Sequence, residues 1–254
     1  MKVLIVFAHP NPSSLNAALK DHAFGVLRKE GHEVQVSDLY GMKWKAVLDA
    51  DDFPSRMDSS PLNVIMAQGE AYGSGTQAKD IAAEQEKLLW ADAIVFQFPL
   101  WWFGVPAILK GWIERVYAYR FAYGYKDGTN AYRYGEGILS GKRALVSVTT
   151  GGPEADYGPR GINGSLDQLL FPLTHGALFY PGMDVLPLFT VYGAMRLDEA
   201  GVANAKLALE QRLKRLFVDE PIRFRRQNGG DYLDRHTLAS HIAPEVSGLP
   251  AHVS

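Results

Sequence analysis

The 254-residue chain contains no cysteine. That excludes disulfides, thiolate metal sites and thiol nucleophiles, so any redox chemistry must come from another group. No long run of like charge occurs, and the formal net charge is only −2 at pH 7. This argues against nucleic-acid or anionic-membrane partners. The seven histidines show no metal spacing: HExxH is absent, and His236 and His241 stand five apart with no carboxylate between them. No metal is expected. Neither the dinucleotide fingerprint GxGxxG nor the phosphate loop GxxxxGK[ST] occurs. The apolar run at the N-terminus, MKVLIVF, is too short to span a membrane and lacks a small-residue cleavage site. It reads as the opening strand of a fold, and the expected location is the cytoplasm without membrane insertion.

What is present is an ordinary soluble composition, 47% apolar and 21% charged, in a length that suits one well-buried domain with additions. Apolar runs at 3–7, 33–37, 93–98, 143–149 and 183–186 read as strands. Helical patterns at 14–28, 80–90, 105–117, 166–175 and 202–216 alternate with them. This alternation predicts an α/β fold: a flavodoxin-like, doubly wound, five-stranded parallel sheet of order 2-1-3-4-5 with helices on both faces. Its ligand crevice is expected at the carboxyl ends of the strands. Residues 1–217 form the expected catalytic domain and 218–254 a polar C-terminal extension, packed on the surface or on a partner. Long insertions at 41–76 and 120–141 read as site walls.

Three segments at that sheet edge carry chemistry. The first strand runs into Ala8-His9-Pro10-Asn11-Pro12-Ser13-Ser14-Leu15-Asn16, where helix amides and hydroxyls suit a phosphate, although Ser13 or Ser14 equally suits a plain helix cap. The third strand ends in Pro99-Leu100-Trp101-Trp102-Phe103, with Gly104 expected to permit the turn. Three consecutive aromatics cannot all face inward from a tight turn, so at least one is offered to a ligand. The fourth strand ends in Thr149-Thr150-Gly151-Gly152, whose bare backbone suits close approach to a carbonyl-rich ring, or a simple glycine turn. A flat redox-active ring, a flavin, fits between shelf and amides. Tyr157 and Asn163 lie in a nearby Gly- and Pro-rich loop. Ala122, Tyr123 and Tyr125 suit a roof over an aromatic slot. Glu84, Glu86, Asp92 and Glu114 read as solvated helix charges, Glu114 alone being a candidate for reaching a ligand.

With AHPNPSSLN, AAEQEKLLWADAIVFQFPLWWFGVPAILKGWIERV, RFAYGY and TTGG in view, the chain resembles the NAD(P)H:quinone oxidoreductases of the DT-diaphorase type, over roughly its first 217 residues. The resemblance implies a homodimer with flavin sites at the interface, FAD rather than FMN as cofactor, NAD(P)H as co-substrate and a quinone as acceptor. It implies that His9, Ser14, Leu15 and Asn16 serve the pyrophosphate and adenosine side. Pro99, Leu100, Trp101, Trp102 and Phe103 would border the isoalloxazine, and Thr149, Thr150, Gly151 and Gly152 its pyrimidine edge. Tyr157 and Asn163 would be the catalytic pair, Tyr157 near N1 and O2. Trp102 and Phe103, with Ala122, Tyr123 and Tyr125 of the other subunit, would line the substrate slot.

Three departures stand out. Asn163 occupies a position where relatives commonly place a histidine, and an amide donates a hydrogen bond but supplies no proton near neutral pH. Trp101 stands where relatives often have a polar amide. A family arginine near the last helix has no clear match, Arg196 and Lys206 being only nearby. The expected activity is ping-pong, two-electron hydride transfer from NAD(P)H through flavin N5 to a quinone. The alternatives are a regulatory subunit of a potassium-efflux antiporter, which shorter relatives of this fold serve as, and an azo- or nitroreductase.

Overall fold

In the computed structural model, which describes residues 1–56, 60–126 and 130–254, the continuous apolar runs become the centre of a parallel sheet. β1 (Lys2–Phe7) lies between β2 (Glu33–Asp38) and β3 (Ala93–Pro99), and β4 (Arg143–Thr149) follows β3. The expected fifth strand is split. Asp184–Val185 (β5) and Phe189–Val191 (β6) each pair in parallel with β4, and Pro187 between them has no N–H to give a ladder. The order is therefore 2-1-3-4-5, as expected, with the fifth position filled in two pieces.

Alternation along each strand sorts the side chains onto two faces. Leu4, Val6, Ile94, Phe96, Phe98, Val146 and Val148 belong to one buried cluster; Val3, Ile5, Ala93, Val95 and Leu145 belong to the other. The second face is covered by α1 (Leu15–Lys29) and by the last long helix (Glu199–Lys214), through Leu19, Val26, Leu27, Leu209 and Leu213. Within the insertion at 41–76 the chain forms a helix missed in the sequence, α2 (Val64–Ser74), capped by Asn63 and ended by Gly75 in the left-handed region. α3 (Lys79–Trp90) and α4 (Ala107–Val116) cover the first face, through Ile81, Leu88, Leu109 and Trp112. Burying one such side chain contributes about 1.5–3 kcal/mol.

The insertion is fastened to α4 by Arg115, which is 1% exposed. Its guanidinium donates to both carboxylate oxygens of Asp52, to Asp80 and to the carbonyl of Lys45, and lies 4.4 Å from the Trp44 ring centre. Gly111 lets the strap cross closely, since a Cβ there would stand 1.9 Å from the Ala46 carbonyl oxygen. The described contacts of the strap thus run to the outer helices rather than to the aromatic turn. Glu84, expected to be solvated, is 1% exposed. It is buried because the Trp112 indole N–H and the Lys87 ammonium satisfy its two oxygens, at 2.8 and 2.5 Å. Glu114 pairs with Lys110 along its own helix.

The expected helix at 166–175 is a short turn, Leu166–Leu169, followed by a wide-turn π segment, Pro172–Phe179. Pro172 withholds a donor, and the segment's exit shows i→i−5 bonds from Tyr180 to His175 and from Met183 to Leu178. Residues 219–254 pack on their own chain: Phe224 enters the first cluster, Ser254 N–H bonds the Arg223 carbonyl, and Tyr232–Leu233 pairs with Thr237–Leu238. No helix among the described residues is long and apolar enough to cross a membrane.

Candidate active site

The carboxyl ends of β1, β3 and β4 meet at one edge of the sheet, and the three segments singled out from the sequence all lie there. Below β1, Ser14 caps α1, its Oγ accepting the Ala17 amide at 3.1 Å. That hydroxyl serves the helix, while the amides of Leu15 and Asn16 have no protein acceptor among the described residues, as expected for a first helical turn. His9 accepts the Asn11 amide on Nδ1 at 3.1 Å, and its ring lies 5.8 Å from that of Trp101. The segments that follow β1 and β3 are therefore in contact.

At the end of β3 the chain reverses within two residues: Trp101 and Gly104 exchange both backbone hydrogen bonds at 3.1 Å. The residues between them, Trp102 and Phe103, have φ of 49° and 61°. Gly104 is not in the left-handed region, so the turn is carried by two aromatic residues where glycine or asparagine is usual. Such strain persists only where the surroundings impose it, and it collects at functional sites. Trp102 is 97% exposed, Phe103 50% and Trp101 40%. Pro99 and Leu100 are tied to the fourth strand, Pro99 by register with Thr149 and Leu100 by its amide to the Thr149 carbonyl at 2.8 Å.

The end of β4 is held from the far side by β6: the Thr150 amide bonds Val191, and Gly193 and Ala194 bond back to Gly152 and Thr150. Thr150 Oγ1 donates to the Gly152 carbonyl at 2.9 Å. The amides of Gly151 and Gly152 donate to no protein acceptor among the described residues. A Cβ on Gly152 would stand 3.0 Å from Asp156 Oδ2 and 3.2 Å from the Tyr157 ring, so a side chain there would press both neighbours aside. Tyr157 thus leans over this loop, with Tyr192 at 5.9 Å behind it. Asn163 joins it through its amide, which donates to the Asp156 carbonyl at 2.9 Å.

Beneath these loops runs a chain of buried polar side chains in which Gln97 and Ser147, marked by no motif, join Asn16 to Thr149. Ser147 Oγ donates to Gln97 Oε1 (2.6 Å), Gln97 Nε2 to Asn16 Oδ1 (2.8 Å), and Asn16 Nδ2 to Thr149 Oγ1 (2.9 Å). All four residues are under 5% exposed. Asn16 therefore spends its side chain inward and offers only its backbone to the edge. The available signal was a glutamine in the otherwise apolar β3 and a serine in β4.

Ala122 and Tyr123 make their described contacts away from the aromatic turn. Ala122 is buried. Tyr123 packs against Tyr119 and Tyr180, both at 5.6 Å, and burial together with those phenols raises its pKa. Tyr125 lies in a short strand, Gly124–Lys126, and its side chain falls outside the described residues. An apolar groove of about 340 Å³ runs from Phe103 past Ile113 to Leu170 and Leu173.

A family model described as flavodoxin-like fold matches residues 1–213. The chain is 48% identical to a ribosyldihydronicotinamide dehydrogenase-like protein from Penicillium crustosum, over 99% of this chain and 95% of that one. It is 38% identical to NAD(P)H dehydrogenase (quinone) 1 from Rattus norvegicus, over 88% of this chain and 80% of that one. A candidate quinone reductase from Klebsiella pneumoniae superposes with a TM-score of 0.96 at 52% identity, each chain being fully covered.

Proposed function

This chain belongs to the NAD(P)H:quinone oxidoreductase family of flavodoxin-like fold, and so is an oxidoreductase; from that membership we propose that it holds FAD and reduces quinones with NAD(P)H. The observation that carries the reading is the strained turn: two aromatics at positive φ, one almost wholly exposed, on the edge that also presents the free amides of Gly151 and Gly152.

The residues present fit a flavin. The Trp102 and Phe103 amides and those of Gly151 and Gly152 are donors without protein acceptors among the described residues, and a flavin's pyrimidine half is rich in carbonyl acceptors. Pro99, Leu100, Trp101, Trp102 and Phe103 border the ring in this reading, and Thr149 to Gly152 hold its polar edge. His9 and the amides of Leu15 and Asn16 serve the phosphates, and the free first-turn donors of α1 favour an anion there. The resemblance to the longer members of the family, rather than any one residue, favours FAD over FMN.

When bound, the flavin supplies the hydride chemistry, accepting from NAD(P)H and passing on to the quinone. The chain's own work is to orient both substrates against the shelf in turn, which gives ping-pong kinetics, and to exclude water there. Tyr157 donates its phenolic hydrogen bond where charge gathers on the ring. Asn163 orients by hydrogen bonding and leaves proton supply to solvent. A second copy of the chain contributes Tyr123 and Tyr125, with Ala122 setting their backbone. The exposed Trp102 and Phe103 beside the apolar groove support a homodimer.

The test is an anaerobic visible spectrum before and after NADPH, then after a quinone, with the cofactor released by acid and identified chromatographically. Flavin bands that bleach and recover are the expected result. A protein that retains neither FAD nor FMN after reconstitution overturns the reading.

A further inference from the structure

Two short strands, Gly124–Lys126 and Asn130–Tyr132, pair antiparallel directly after Tyr123, with Tyr125 opposite Ala131. Among the described residues no backbone hydrogen bond ties either strand to the main sheet. A two-stranded hairpin is marginal by itself, so its two feet decide where it stands.

The first foot is short. The Arg120 amide donates to the Tyr123 carbonyl at 2.8 Å, and the Tyr123 ring meets Tyr180 at 5.6 Å. The second foot, residues 133–136, is gripped from two sides. On one side the Tyr134 amide bonds the Tyr180 carbonyl at 2.7 Å, and the Gly135 amide bonds that of Phe179 at 2.9 Å. On the other lies the C-terminal extension. Arg133 Nε donates to Gln227 Oε1 at 3.2 Å, and Asn228 Nδ2 to Glu136 Oε2 at 2.6 Å. Gly135 fits between the two, since a Cβ there would stand 3.0 Å from both Arg226 Cγ and Phe179 Cε2. Tyr134 holds a φ of 51° in this grip, a left-handed conformation that a bulky residue keeps only under constraint. Its ring also lies 4.8 Å from Tyr180, so both feet lean on one aromatic residue.

The extension is firmly seated where it makes this contact. Phe224 packs on Phe171, His175 and Phe179, with ring centres at 5.9, 5.1 and 5.1 Å. Gln227 is 5% exposed, and its Nε2 donates to the Arg235 carbonyl at 3.2 Å. One buried amide therefore spans the extension and the foot of the hairpin.

On the reading of Tyr123 and Tyr125 as the roof of a second copy's slot, we propose that Gln227 is a positioning residue for that slot. By tethering Arg133 to the C-terminal extension, it fixes the hairpin that leaves from Tyr123 and carries Tyr125. Loosening this foot weakens the hold on both substrates alike, which raises KM and spares kcat.

The test uses the full-length, flavin-loaded protein. Gln227→Leu keeps the bulk and removes both side-chain bonds; Arg133→Met, at a half-buried position, removes the other end of one. Gln227→Glu keeps an acceptor for Arg133 and gives up only the bond to Arg235. By hydrogen–deuterium exchange, the amides of 124–126 and 130–132 should exchange about fivefold faster in the first two variants, with β1 and β3 unchanged. KM for NADPH and for menadione should rise together by about fivefold, because both use one slot, with kcat and flavin content near parental values. Gln227→Glu should recover both readouts. The double variant Gln227→Leu, Arg133→Met should be no worse than either single one, since both sever one contact. Unchanged exchange overturns the tether. Faster exchange with unchanged KM overturns its role in the slot, as does a Gln227→Glu protein as impaired as Gln227→Leu. Exchange needs no turnover, so a parent protein that reduces no quinone fails on the function reading while the tether is still judged.

Discussion

Asn16 and Thr149 are joined by a 2.9 Å hydrogen bond across 133 residues of sequence, which locks the first turn of α1 to the end of β4. Gln97 and Ser147 complete the chain and leave none of these buried groups without a partner. Replacing Gln97 by Leu strands Asn16 Oδ1 and the Ser147 hydroxyl in an apolar interior. Unfolding free energy from urea titration should fall by about 2–4 kcal/mol. Flavin should dissociate at least tenfold more readily, because two cofactor loops lose their common anchor. A destabilised variant with unchanged flavin affinity would show the network to be structural only.

Trp102 makes a different trade. At 97% exposure it loses almost no packing on substitution, and at φ 49° it sits where glycine is at ease. Trp102→Gly should melt at the same temperature or a few degrees higher, a gain of up to about 1 kcal/mol. Flavin retention or quinone turnover should nevertheless drop at least tenfold. Trp102→Val, β-branched at positive φ, should be the least stable of the three forms.

Arg115 sits at the centre of the strap over α4, between Asp52 and Asp80. Arg115→Met leaves the Asp52 carboxylate buried beside only Lys45, and should cost about 3–5 kcal/mol by urea denaturation. Lysine should restore little of this, since one ammonium cannot reproduce the forked contacts to Asp52, Asp80 and the Lys45 carbonyl. A fully stable Arg115→Lys protein would refute that geometry.

His175 sets an acid limb. Burial and the nearby His252 hold its folded pKa down to about 4, below the ordinary imidazole value of 6.5, so the unfolded chain binds the extra proton between these values. Stability from this group is complete above pH 6.5 and is lost as pH falls towards 4. The loss should amount to about 2 kcal/mol, after discounting for partial solvation of the ring. Melting temperatures of His175→Phe should decline less than those of the parent over this interval. Parallel curves would contradict the assignment.

Asn163 bears on proton supply. Asn163→His should raise quinone reduction at and below neutral pH and add an ionisation to the profile between pH 5 and 8. An identical rate and profile in the variant would mean that solvent already delivers the proton without limitation.

Much of this site could be read from residue order because the fold places strand ends, and strand ends are where Pro99, Thr149 and Asn16 stand. The continuous apolar runs of β1, β3 and β4 dictate burial on both faces, and such burial permits few arrangements other than the one observed. The local turn signal does not mark the strained residues. Gly104 carries the local signal, yet the strain falls on Trp102 and Phe103, since register with β4 decides where the reversal occurs. Glu84 looked solvated because helical spacing shows a charge without showing the Trp112 indole on a neighbouring helix that draws it inward. The inward turn of the Asn16 side chain was hidden for the same reason, its partners lying 81 and 133 residues away.

The Leu100 amide, bonded to the Thr149 carbonyl at 2.8 Å, stitches the two lips of the crevice into one ladder. A substitution that shifts one lip drags the other, so neither can be tuned alone. Diversification of acceptor range among such proteins should therefore accumulate in whatever closes over the crevice, where a side chain can change without disturbing a strand.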